Sequence, residues 1–243
     1  MEKHEHNTHI KNSPYIGIVI AATIIGIFIL ASAFVLRGSA GSNSEFVDPD
    51  KIFMGRDFKN DEFTYGSNKN KIIFLQYSDT ECPFCKKFHE EVISKLEGDA
   101  KYSSIAMAYR HYPLPFHTKA PKEAEATLCA RELAGQDGYR KYIDAIFIKT
   151  PANNGLDEAE LPKIATSVGL DTAKFTECLS SGKYAQAVQD DLSDGNSVGV
   201  TGTPHSMVLV KTDNGYRIIA RIEGARDYKY VTAVLDQVLK MVK

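Results

Sequence analysis

The chain of 243 residues has no tryptophan, only four cysteines, no long basic block and no internal repeat. The missing tryptophan decides nothing by itself. A formal net charge of −2 without a basic stripe argues against a nucleic-acid partner. No second pair of cysteines two residues apart, and no spaced histidine pair, is present to complete a four-ligand structural zinc set. With 43% hydrophobic and 25% charged residues, the length fits one sizeable domain plus attachments.

What is present begins with an apolar run. Residues 16–36 carry no charged side chain and are bounded by Lys11 and Arg37. That length spans a hydrocarbon core as a helix and exceeds an ordinary signal-peptide core, so one N-terminal transmembrane helix is predicted. A cleaved signal is the alternative, because Ala31, Ser32 and Ala33, and again Gly38, Ser39 and Ala40, are the small residues of a cleavage site. No cysteine lies near the run, which argues against a lipid-modified N-terminus. Lys3 and Lys11 on one side and Arg37 on the other give a weak positive-inside bias. A persistent disulfide needs an oxidising compartment, which puts the N-terminus inside and the domain on the extracytoplasmic side. The expected organisation is a polar tail over 1–15, the anchor over 16–36, a Ser-, Gly- and Asp-rich linker over 37–60 and a domain over 61–243. His4, His6 and His9 in the tail are read as solvated, with metal binding as the lesser alternative.

Cys82, Pro83, Phe84 and Cys85 carry the chemistry. The run 71–77 before them is apolar and rich in β-branched and aromatic residues, a buried strand. Phe84, Phe88, Val92, Ile93 and Leu96 recur at helical spacing, and Pro83 suits a first turn. Cys82 therefore sits at a helix N-terminus, where unpaired N–H groups and the macrodipole favour a thiolate. Cys85, almost one turn in, is the less exposed resolving partner. A reactive redox pair is the leading reading. Half of a metal site, with His89 four residues after Cys85, and a purely structural disulfide are the alternatives.

Further along, residues 52–54 read as a short edge element, and 104–110 as a second strand able to run parallel to the first. Helical patterns follow over 120–133, 138–148, 157–168, 171–179 and 183–193, with Asp157 and Asp171 as N-cap types. Residues 206–210 and 216–222 flank a turn at 213–215, and 228–242 closes the chain as a helix. The layout is α/β, with a helical block of about 115–198 inserted between the second and third strands.

This order resembles the DsbA-like branch of the thioredoxin superfamily over roughly residues 50–243. The specific stretches are 77–86 around the cysteines and 199–204, ending at Pro204. The resemblance implies a thioredoxin-like fold, a central mixed sheet flanked by helices. It implies Cys82 and Cys85 as catalytic residues, with Pro83 and Phe84 tuning the potential. It also implies a cis Pro204 beside them, and a Thr203 whose backbone pairs with substrate as an added strand. A disulfide often staples the helical block in that family, which implies a structural Cys129–Cys178 bridge. Two buried free thiols are the alternative. Neither a metal nor a cofactor is implied.

Two residues depart from the family pattern. Phe84 stands where the best-known members have a chargeable His. Gln76 stands where the family often buries a proton-relaying Glu, and an amide cannot exchange a proton in that way. Asp79 or Glu81 is a candidate substitute, with a solvated loop acid as the equal alternative, and His205 either stabilises the thiolate or only points out of its strand. The expected function is an extracytoplasmic thiol:disulfide oxidoreductase, of intermediate potential between about −270 and about −120 mV. Its partners are exported cysteine-containing proteins and a membrane or soluble redox partner that resets the pair. A monomer is expected, and residues 37–70 leave no room for the separate dimerisation domain that known isomerases of the family carry. An isomerase or reductase is the rival in chemistry. A membrane-tethered metal- or peptide-binding module is the rival from another class.

Overall fold

A computed structural model describes residues 56–59, 62–213 and 215–242. The predicted anchor, the tail with its histidines, the cleavage-like sites and the edge element at 52–54 lie outside the described residues. Among the described residues no helix is long and apolar enough to cross a membrane.

Strand β2 (Ile72–Ser78) is buried at every position, because both faces of the sheet are covered there. It is the middle strand of a five-stranded sheet. Strand β3 (Ile105–His111) runs parallel to it, with Gln76 opposite Tyr109 and Ser78 opposite His111. On its other side β4 (His205–Thr212) runs antiparallel, with Tyr77 opposite His205. Strand β5 (Gly215–Glu223) returns as a hairpin, and β1 (Phe63–Tyr65) pairs with β3 at the far edge. The period of two sends Phe74, Met107 and Val208 to one face and Ile73, Leu75, Ala106 and Leu209 to the other. The first face packs on Phe88, Val92 and Leu96 and on the closing helix Tyr228–Met241, through Val231 and Leu235.

The helix that opens at Pro83 is not uniform. Helix α1 (Pro83–Phe88) passes through a π-helical turn (His89–Ile93) before α2 (Ser94–Gly98). That wider turn keeps His89, Val92 and Ile93 all buried. In the helical block, the two patterns expected at 120–133 and 138–148 are the two helical stretches of α3 (Ala120–Lys149), with non-helical backbone at Ala134 and Gly135 between them. The helix bends at Ala134 and Gly135, where Gly135 takes a φ of +61°. Helices α4 (Glu160–Ser167), α5 (Thr172–Ser181) and α6 (Ala185–Ser197) complete the block. Asp171 caps α5 by accepting from the N–H groups of Ala173 and Lys174. Asp157 instead braces Ala159, which caps α4.

Charged residues also build this fold. Arg110 is buried on β3 and donates to Glu62 at 3.1 Å, to Asp194 of α6, and to the Arg56 carbonyl at 3.1 Å. Arg56 pairs in turn with Glu62 and Asp191, and its backbone N–H donates to Asp194 at 2.7 Å. Phe58 stacks under the Arg110 guanidinium, 4.6 Å away. The linker expected over 37–60 therefore stops short of Arg56. Residues 56–59 belong to the folded domain, drawn in by buried carboxylates that no hydropathy pattern displays.

Candidate active site

Strand β2 ends at Ser78, and the chain then makes a braced turn to reach Cys82. Asp79 is the brace. One of its carboxylate oxygens accepts from the Glu81 N–H at 2.8 Å. The other accepts from the Leu114 N–H at 2.7 Å and meets His117 Nδ1 at 2.8 Å. Burial raises the Asp79 pKa while these partners oppose the rise. Both oxygens being engaged, Asp79 holds the turn and is not a solvated loop acid. Glu81 is fully buried and accepts from the N–H groups of Gly155 at 3.2 Å and Leu156 at 3.4 Å. Ala152, Asn153 and Asn154 all take positive φ, which turns this loop onto Glu81, and the Asn153 N–H donates to the Glu81 carbonyl at 2.7 Å. Glu81 is thus committed to the helical block. Facing it, Glu123 of α3 is pushed up to about 9 by burial and by Glu81.

Cys82 is the N-cap of α1, with Pro83 in the first turn. Its thiol faces Cys85 and donates to the Thr203 carbonyl at 3.6 Å. Hydrogen bonding from the Cys85 side chain lowers the Cys82 pKa to about 6, assisted by the backbone N–H groups of Cys85 and Phe84 against the opposing effect of burial. Cys85 has no exposed surface, and burial followed by the neighbouring Cys82 raises its pKa well above the ordinary thiol value. The two thiols are thus unequal, one poised as a thiolate and the other held as a thiol. Phe84 between them is 63% exposed and offers an apolar surface at the mouth of the site.

The Thr203–Pro204 bond is cis. Residues Thr201–His205, with Glu223 and Gly224, border an open groove of about 230 Å³ beside Cys82. His205 is buried there, and burial followed by Arg221 lowers its pKa to about 4. An imidazole of that pKa is neutral at pH 7 and brings no charge to the thiolate, which goes against the lesser of the two readings of His205. His89 is turned toward the helical block, with Nε2 2.8 Å from Asp144 and its ring stacked on Phe147 at 4.7 Å. Among the described residues no three His, Cys, Asp or Glu side chains gather in a way that would hold a metal. Cys129 and Cys178 are joined in a disulfide between α3 and α5, apart from the Cys82–Cys85 pair.

The wall behind Cys85 escaped sequence reasoning. Leu128, Tyr139, Ile143 and Phe147 of α3 pack with both cysteines, together with Tyr109 of β3. Ser78, Gln76 and Tyr109 add polar groups at its base. Their shared face follows from the strand period, but serine and tyrosine carry no motif signal.

The thiol asymmetry makes a direct prediction. The alkylation rate of reduced Cys82 by iodoacetamide should rise with pH through a midpoint of about 6 and level off above it. A thiol of ordinary pKa, about 8.5, would react over a hundredfold slower at pH 6 than at its plateau. The depressed pKa also links to stability. The reduced domain holds the full stabilisation above about pH 8.5 and loses it as pH falls through the folded midpoint. A midpoint near 8.5 would remove the asymmetry.

Comparison with known proteins places this geometry among related chains. Residues 59–231 match the family model described as Thioredoxin. Pseudomonas aeruginosa DsbA2 is 25% identical, with 74% of this chain and 94% of that chain covered at a TM-score of 0.59. Wolbachia pipientis alpha-DsbA1 is 24% identical over 76% of this chain and 96% of that one, with a TM-score of 0.63. Oxidised BdbD from Bacillus subtilis shares the fold at 18% identity and a TM-score of 0.63, covering 79% of this chain and all of that one. Among curated relatives, the Na(+)/H(+) antiporter NhaA 3 of Salinispora tropica is 27% identical over 180 residues, 74% of this chain and 25% of that protein. The Na(+)/H(+) antiporter NhaA of Herminiimonas arsenicoxydans is 26% identical over 174 residues, 70% of this chain and 24% of that protein. The chain thus spans about a quarter of the length of these curated relatives.

Proposed function

The chain belongs to the thioredoxin family, and we propose that it is a thiol:disulfide oxidoreductase in which Cys82 exchanges disulfides with client proteins and Cys85 resolves them. One observation carries this reading: two adjacent thiols of opposite pKa shift, the lower at a helix N-terminus beside the Thr203 backbone. In the oxidised state a client thiolate attacks Cys82 Sγ. The Cys82–Cys85 bond breaks, and the electron pair leaves on Cys85, which then takes up a proton. The client's second thiolate attacks the client sulfur of the mixed disulfide and expels Cys82 as a thiolate. The client loses two electrons and the domain gains them. A sulfur of pKa about 6 is a good leaving group at neutral pH, which favours oxidation of the client.

The clients in this reading are exported cysteine-containing proteins, and a membrane or soluble redox partner takes the two electrons back. Thr203, next to Pro204, offers its backbone to an extended client strand along the groove. Residues 16–36 tether the domain on the extracytoplasmic side. The test uses a reduced client with two cysteines and a gel run without reducing agent. Wild-type oxidised protein should form the client disulfide; reduced Cys85→Ser, given the same client in its disulfide form, should accumulate a mixed disulfide through Cys82, and reduced Cys82→Ser should form no adduct. No adduct with Cys85→Ser and no turnover by the wild type would remove this function.

A further inference from the structure

We propose that Glu81 and Lys86, directly before Cys82 and after Cys85, are positioning residues that clamp the redox pair to the segment 148–156. The inference rests on the function proposed above and deepens it by assigning what keeps the reacting sulfurs in place. Glu81 has no exposed surface, and its three oxygens all accept from one loop. Its carbonyl takes the Asn153 N–H at 2.7 Å, and its carboxylate takes the N–H groups of Gly155 at 3.2 Å and Leu156 at 3.4 Å. The Cys82 N–H donates to the Asp79 carbonyl at 3.1 Å, so the peptide group joining Glu81 to Cys82 is held at both ends. On the other side of the pair, Lys86 reaches from α1 to the end of α3. Its Nζ donates to the Thr150 carbonyl at 2.7 Å and the Ile148 carbonyl at 3.4 Å. A helix C-terminus leaves such carbonyls without intrahelical partners and favours a cation beside them. The ion pair of Lys86 with Glu90 of its own helical segment is longer, at 4.0 Å.

The segment that receives the clamp is strained. Ala152, Asn153 and Asn154 stand at φ of +65°, +54° and +62°, a left-handed run that residues with a Cβ rarely adopt. Such backbone persists only where its surroundings fix it, and it gathers at sites where geometry matters. Here the Ala152 N–H donates to Thr150 Oγ1 at 3.0 Å. The Asn154 side chain donates to the Phe116 carbonyl at 2.9 Å and accepts from the Lys119 N–H at 3.2 Å. The run brings three N–H groups onto the one residue that precedes Cys82. Its consequence falls on the redox equilibrium. In the disulfide the two sulfurs are bonded, and the turn is tied by that bond. In the dithiol only surrounding contacts keep them near one another, so freedom released by loosening goes to the reduced form. A loosened clamp lowers the effective concentration of one sulfur at the other, which makes the pair a stronger oxidant.

The experiment equilibrates the full chain with mixtures of reduced and oxidised glutathione, quenches with acid and counts free thiols by mass. Two glutathione thiols give up two electrons and two protons to form glutathione disulfide, and the Cys82–Cys85 bond takes them to become the dithiol. The chains compared are wild type, Glu81→Gln, Lys86→Met and Lys86→Arg. Glu81→Gln keeps one side-chain acceptor oxygen of two and should move the equilibrium about tenfold toward the dithiol, about 30 mV more oxidising. Lys86→Met should move it the same way by about threefold, and Lys86→Arg, with donors for both carbonyls, should restore it. The direction is diagnostic, because loss of the Lys86 charge alone would disfavour a thiolate and shift the equilibrium the other way. A substitution that only loosened the fold would lower the urea midpoints of the oxidised and reduced forms alike and leave the glutathione equilibrium where it is. Lys86 is half-buried, so its variants decide the matter if Glu81→Gln does not fold. An unmoved equilibrium in a folded variant removes that residue from the clamp, and a shift toward the reducing side in Lys86→Met overturns the inference. A wild type that does not exchange with glutathione overturns the proposed function as well, whereas an exchanging wild type with unmoved variants overturns the clamp alone.

Discussion

Arg110→Ala is expected to destabilise the domain by about 3–5 kcal/mol, a large part of the stability of an ordinary fold. The guanidinium is 2% exposed and lies between Glu62 and Asp194, both almost as deeply buried. Removing it leaves Asp194 in the interior without its cation and Glu62 with Arg56 alone, and uncompensated buried charge is the costly outcome. The damage would not stay local. Tyr77 of β2 also donates to Asp194, and Asp191 accepts from the His111 N–H at 3.0 Å. The cluster thereby ties residues 56–62, both strands leading to the active site, and helix α6 to one another. Urea unfolding should show the loss in midpoint, and the thermal midpoint should fall by about 10 °C or more. Substituting the whole set, Arg110→Met with Glu62→Gln and Asp194→Asn, should recover part of the loss, since no charge is then left unpaired. A single-variant loss under about 1 kcal/mol would show that the carboxylates find water or protons instead.

The cluster also marks the limit of what could be read from the chain. Strand β2, the start of α1 at Pro83, strand β3 and the β4–β5 hairpin were legible because each is announced by a local apolar period or a turn residue. Cys82 was legible as the front of a helix for the same reason. Strand β1 was not, because three residues pairing with β3 carry no period of their own. The two stretches of α3 were divided at the right place, since Ala134 and Gly135 leave helical geometry between them. Arg56 and Asp191 stand 135 positions apart, and each alone looks like a solvated surface charge. His205 was left between two readings for a related reason: its lowered pKa is set by burial and by Arg221 on the neighbouring strand, neither of which a single sequence displays. Long-range electrostatics is the part of this fold that local patterning leaves out.

Separating Cys129 from Cys178 should produce the second large effect, a loss of about 4 kcal/mol in Cys129→Ala/Cys178→Ala. The two residues are 49 positions apart, and a closed loop of that size removes about this much chain entropy from the unfolded state. Both sulfurs sit in the core of the helical block, with Leu161, Ile164 and Phe175 around them. Other residues of α3, Leu128, Ile143 and Phe147, belong to the separate cluster that forms the wall behind Cys82 and Cys85. Stability and chemistry are therefore carried by two separate clusters and should separate on mutation. The double variant should unfold at lower urea concentration, while its Cys82 alkylation midpoint stays at about 6 in buffer. Dithiothreitol strong enough to open the bridge in the wild type should give the same urea midpoint as the double variant. If the variant instead unfolds with the oxidised wild type, the loop is already constrained by packing. If it keeps its stability but loses exchange with client thiols, the bridge takes part in the electron path.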